Sequence, residues 1–337
     1  MRRLLLATSL LIAACAISVP GGAHSRGHDL AEGLIAHLGL GEFGEKLEAG
    51  GVVYSGLLGQ EQLKEEVSAV GAMLLVRGVP PEVVIDAFLH PDTFRDVHGI
   101  GRHGALPDTE GITNAFEELM LDPEFDMAGL ARDPLREYNL GERELSLFPK
   151  THSTVDRKAV RNAWHSILKG RLESYLAGGI SQIAPYLRKK GGKVSPAREL
   201  SAALHASTYL EHEFPRFVDS LIEPSKPYAS EFDQEYFWLE TDFNGQRVWA
   251  LSVEQRLMRS DVALGADLHF YASRGYNSML TFIGVVPYGE HSLVFAVNHT
   301  FTDEVLGFGS GVRKRVARSR VSETLAGHLE AVRRQIE

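Results

Sequence analysis

This 337-residue chain has one cysteine, Cys15. A single thiol excludes an internal disulfide and a Cys-based metal site. Reaction motifs are missing as well. No His-Glu-x-x-His pair marks a zinc hydrolase, and no Gly-x-Ser-x-Gly elbow presents a nucleophilic serine. The glycine-rich run Gly307-Phe308-Gly309-Ser310-Gly311 lacks the Lys-Ser/Thr pair of a phosphate-binding loop. Positive charge is in deficit. The formal net charge is −9, which excludes nucleic acid as a partner for the chain as a whole. Nothing repeats at a fixed period, and no apolar run beyond the first twenty residues approaches the length of a membrane span.

That first run reads as a targeting segment. Arg2 and Arg3 precede mostly apolar residues 4–19, Pro20-Gly21-Gly22 breaks the run, and Ala23-His24-Ser25 fits a cleavage site. The expectation is a signal peptide over residues 1–25 and an exported, periplasmic protein. Ile12-Ala13-Ala14-Cys15 also fits a lipoprotein box, so anchoring through Cys15 is the alternative. The whole chain is 44% hydrophobic and 23% charged, enough for a sizeable core. Its length suits two domains, or one domain with an insertion.

After a Gly- and Glu-rich lead-in over residues 26–66, residues 67–77 read as a strand. Pro80-Pro81-Glu82 fits a helix start, a second short helix follows His90, and residues 100–106 read as another strand. Helical signals dominate residues 107–239. Val160, Trp164, Ile167, Leu168, Leu172 and Tyr175 recur at helical spacing, and Gly178-Gly179 closes that helix. Residues 180–188 suggest a short helix. Ser195-Pro196 caps another, expected to run to about Glu213.

From Val248 the period becomes two. Trp249, Leu251, Val253, Gln255 and Leu257 share one strand face, and Val248, Ala250, Ser252, Glu254 and Arg256 the other. Three more strands follow, over residues 268–272, 278–286 and 292–300. The short turns between them predict antiparallel pairing in order. A long basic amphipathic helix over residues 309–335 closes the chain, with Val312, Val316, Val321, Leu325, Leu329 and Val332 along one stripe. Its Arg313, Lys314, Arg315, Arg318 and Arg320 either pair with the acidic first half or face an anionic ligand or membrane surface.

This order of elements resembles the START-like (helix-grip) superfamily. Residues 67–106 and 246–335 form its two parts, and residues 107–239 form a mainly helical insertion. Tyr175-Leu176-Ala177-Gly178-Gly179 and Gly307-Phe308-Gly309, leading into the basic helix, resemble an uncharacterised exported proteobacterial family of that kind. The resemblance implies a close Cys pair where this chain has Asn139 to Glu144, and its absence means that no disulfide or redox role transfers. It implies an α+β fold, an antiparallel sheet packed on the C-terminal helix, with an apolar cavity between them. It implies no particular reaction and no cofactor.

The expected function is therefore binding of a hydrophobic or amphipathic small molecule between sheet and closing helix. Trp249, Leu251, Val253, Phe270, Phe282, Phe295 and Val316 are the expected wall, with His269 for the ligand's head. Tyr271 and His299 are further polar groups on these strands. Two alternatives stay open: a cyclase- or hydrolase-like acid–base catalyst using His269 or His299, and an envelope-associated interaction module. Two histidine groups invite a metal reading, His90 with His98 and His103, and His205 with His212. Neither has the spacing of a metal motif, and both are read as surface or capping residues. The pattern carries nothing on oligomeric state.

Overall fold

The computed structural model describes residues 44–56, 63–89, 100–107, 138–148 and 157–337 except 244 and 308, with a few isolated positions before residue 138. The targeting segment, His90 and His98 lie outside the described residues. So does the helix expected after His90.

An eight-stranded antiparallel sheet organises the fold. Its strands are β1 (Val53–Gly56), β2 (Glu66–Arg77), β3 (Ile100–Leu106), β6 (Asp233–Phe243), β7 (Gln246–Met258), β8 (Ala263–Ala272), β9 (Ser278–Tyr288) and β10 (His291–Phe301). A two-residue hairpin, β4 (Tyr186–Leu187) with β5 (Lys193–Val194), stands apart. The sheet order is β1-β2-β10-β9-β8-β7-β6-β3. The strands β6 to β10 pair in sequence, as short turns require, while β10 returns to lie beside β2.

The helices are α1 (Gly44–Glu48), α2 (Pro81–Leu89), α3 (Glu142–Leu145), α4 (Arg157–Gly178), α5 (Pro196–Ala206), α6 (Thr208–Glu213), α7 (Pro215–Ile222) and α8 (Ser310–Ile336). They form layers on both faces of the sheet. The α4 stripe is fully buried from Val160 to Tyr175. It packs on the apolar face of the central strands: Trp164 meets Trp249 edge-on at 5.4 Å, and Tyr175 stacks on Phe270 at 4.4 Å. Gly179 ends α4 at φ +65, and a Cβ there would lie 1.9 Å from the Ile222 carbonyl oxygen, so α4 and α7 meet only because it is glycine. On the other face, α2 and the C-terminal half of α8 cover Ala72, Leu74, Ile283, Val285 and Val294.

Three local expectations are corrected. Residues 180–188 form a 3₁₀ turn, Gly179–Gln182, and then the extended β4, because Pro185 has no N–H for a helical bond and Tyr186 is drawn into the core. The helix expected to reach Glu213 breaks at Ser207, so His205 and His212 sit on different helices. Strand β6 occupies residues assigned by pattern to the helical segment, and it inserts between β3 and β7. Among the described residues, no helix is long and apolar enough to cross a membrane.

Candidate functional site

The two faces of β7 have different fates. Trp249, Leu251 and Val253 join the core under α4, together with Phe270 of β8, Phe282 of β9 and Phe295 of β10. All six are buried to within 2% of full occlusion. These six expected wall residues therefore fill the interface with the helical segment and do not reach the space beneath α8. The reason is competition for apolar surface: α4 brings the larger hydrophobic stripe, and the more apolar face of the sheet goes to it.

The space beneath α8 lies against the opposite face. It is a cavity of about 820 Å³. Its floor is two rows of facing residues running across the sheet. One row is Glu254, Asp267, Thr281 and Asn298, and the next is His269, Met279 and Thr300, with Ser252 beside His269 in register outside the lining. Register places these side chains on one face because each strand alternates. The apolar clusters on that face stop on either side of the rows. Phe237, Leu239, Val248 and Ala250 close one end, and the layer under α2 closes the other.

Helix α8 forms the opposite wall. Its buried residues are Ser322, Leu325, His328, Leu329 and Val332, all from the middle of the helix onward. Val312 and Val316, on the same stripe, remain 68% and 50% exposed. The first turns of α8 thus stand off the sheet and line the cavity with Val312, Val316, Ala317 and Val321. Gly307 and Gly309, both at positive φ, turn the chain into this position. The run 307–311 is a hinge into α8.

The floor is hydrogen-bonded in part. His269 Nε2 lies 3.0 Å from Asp267 Oδ2 and Nδ1 lies 2.7 Å from the Tyr276 hydroxyl. A carboxylate only accepts, so in the neutral imidazole Nε2–H donates to Asp267 and Nδ1 accepts from Tyr276. Thr300 donates to Asn298, which donates to Thr281, at 2.8 and 2.9 Å. Glu254 is different. It is 6% exposed, its Oε2 makes no hydrogen bond, and its nearest cation is Arg256 at 3.5 Å. Burial, reinforced by the negative charge of Asp267, pushes its carboxyl up to about 9.

Of the expected site residues, His269 and Val316 line the cavity. His299 faces the other side of the sheet, where it contacts Glu66 at 2.7 Å with both groups buried. Tyr271 also lies on that side, 6.1 Å from Tyr186 and under the Arg171 guanidinium. Among the described residues, no group of three or more His, Cys, Asp or Glu is placed to hold a metal. His205 and His212 are exposed beside Glu211 and Glu213. Arg313, Lys314, Arg318 and Arg320 each already interact with another group of the protein. The paired floor residues Glu254 and Asp267 were not anticipated, although polar residues at every second position of otherwise apolar strands signal them. Compared with known proteins, the chain matches no family model, no curated protein and no solved structure.

Proposed function

We propose that this protein is a container for an amphipathic small molecule, held between the polar face of the sheet and the N-terminal half of α8. The observation that carries this reading is the cavity, whose volume of about 820 Å³ falls in the range of sites that hold ligands of drug size. Its two walls differ in chemistry. Val312, Val316 and Val321 offer an apolar surface for a ligand body, and Thr281, Asn298, Thr300 and His269 offer hydrogen bonds for a polar head. The order β2-β10-β9-β8-β7-β6-β3, closed by α8, supports the helix-grip resemblance. In this reading the N-terminal leader takes the container outside the cytoplasm, as a soluble periplasmic protein or one anchored through Cys15.

The test is binding of Nile red, an apolar dye that fluoresces on leaving water. Wild-type protein is expected to bind it saturably. Ala317→Phe, which fills the cavity from a half-buried helix position, is expected to weaken binding at least about ten-fold while thermal stability holds. Dye binding unaffected by Ala317→Phe sinks the container reading. A second reading, acid–base catalysis in the same cavity, is favoured by Glu254 beside Asp267: a carboxyl held protonated next to one that is hydrogen-bonded to His269. His299 takes no part in either reading, since it faces the other side of the sheet.

A further inference from the structure

Among the described residues, several buried ionisable groups meet matched partners. Arg171 donates to both oxygens of Glu144, at 2.6 and 2.8 Å. Glu199 accepts from Asn277 and Ser278. His299 meets Glu66. The sheet face under α8 differs at Glu254 and its neighbours. Glu254 Oε2, Asp267 Oδ1 and Ser252 Oγ are all buried from solvent, and none has a hydrogen-bond partner. Glu254 and Asp267 are register partners on β7 and β8, and Ser252 precedes Glu254 by two residues on the same face. A buried polar atom without a partner is costly, and two on adjacent acids of the cavity wall, with Ser252 beside them, mark a place suited to a group absent from the chain itself.

A donor of positive charge suits the site best, because Asp267 accepts and Glu254 also accepts once it ionises. A primary ammonium carries several N–H donors and one positive charge, which suits two adjacent acids with unpartnered oxygens. A hydroxyl supplies one donor, and a carboxylate supplies none and adds repulsion. The protein's own cations do not fill the position. Arg256 approaches Glu254 only to 3.5 Å. Arg313 lines the cavity but donates to the Leu306 carbonyl, and Arg320 sits exposed on α8.

We propose that the ligand is a primary amine with an apolar body, its ammonium seated between Glu254 and Asp267 and its chain lying along Val312, Val316 and Val321 of α8. This rests on the container reading. Seating the cation favours the ionised form of Glu254, which is otherwise protonated at neutral pH, so binding expels one proton to solvent and tightens as pH rises. Several charges bear on that titration. Arg256 acts from the same strand, Glu235 from β6, and Asp267 and His269 from β8. Across the cavity Glu304 precedes α8, and Arg313, Arg320, Glu323 and His328 lie on it.

Four probes with one eight-carbon chain test the head: octylamine, octyltrimethylammonium, 1-octanol and octanoate. Each is titrated calorimetrically into the full protein at pH 7, in two buffers of different ionisation enthalpy. Octylamine is expected to bind about ten-fold or more tighter than the other three and to release close to one proton. Glu254→Gln, which mimics the protonated side chain and so leaves the fold undisturbed, is expected to abolish the release. Octanol or octanoate binding as tightly as octylamine overturns the amine assignment and leaves the container standing. The quaternary ammonium binding as tightly overturns the requirement for N–H donors, and with it the primary amine. Octylamine binding without proton release removes Glu254 from the site. Failure of all four probes to bind, with Nile red also failing, instead removes the container.

Discussion

Glu199 shows at the level of one side chain what burial does to this protein's response to pH. It is fully buried at the N-terminal end of α5, with its oxygens accepting from Asn277 Nδ2 at 2.9 Å and Ser278 Oγ at 2.8 Å. Burial pushes its carboxyl up from 4.5 to about 7, the two hydrogen bonds only partly opposing it. For an acid raised in the folded state, the unfolded chain ionises first. The stabilisation is therefore complete below about pH 4.5 and is lost as pH rises through about 7. Glu199→Gln keeps an acceptor for Asn277 and a donor for Ser278, and it cannot ionise. Its stability in urea should fall less than wild type between pH 5 and pH 8, by on the order of 3 kcal/mol. Glu254 acts with the same sign, so the slope shrinks without vanishing. Parallel losses in wild type and variant would show that Glu199 does not titrate in this range.

At the level of elements, α8 is one helix with two environments. Leu329 is fully buried against the sheet, whereas Val316 is half exposed over the cavity. Truncating a buried leucine costs about 2–5 kcal/mol, while a surface valine costs within about 0.5 kcal/mol. Leu329→Ala should therefore destabilise severely and Val316→Ala hardly at all, in equilibrium denaturation. Native-state hydrogen exchange should also protect residues 322–332 well beyond residues 311–321. Uniform protection along α8 would mean that its first turns are held as firmly as its last. The stripe on α8, the α4 stripe and the alternation of β7 were all legible because each keeps one period over many residues. Strand β6 was not, since Tyr236, Phe237, Trp238 and Leu239 are buried on both faces and so show no alternation. Residues 180–188 misled because Ile180, Ile183 and Leu187 keep a helical spacing that Pro185 cannot support.

The whole molecule explains why the candidate site was only half legible. Alternation separates the two faces of β7, but it carries nothing on which layer of helices covers which face. That assignment depends on long-range competition between α4 and α8 for the same sheet. The outcome is that Trp249, Leu251, Phe270, Phe282 and Phe295 belong to the helical segment's core, and the polar rows belong to the cavity. The helical segment is thus half of the sheet's hydrophobic environment, whatever its origin in the chain. Excising residues 157–222 and joining the ends by a flexible linker would uncover five large side chains on one face, a contiguous apolar patch of the kind that drives association. The shortened chain should be insoluble or form aggregates on size-exclusion chromatography, even though every residue named in the cavity remains. A soluble monomer that keeps its strand signal in circular dichroism and still binds Nile red would show the opposite. The sheet and α8 would then form a self-sufficient unit, and the helical segment would be a dispensable cover.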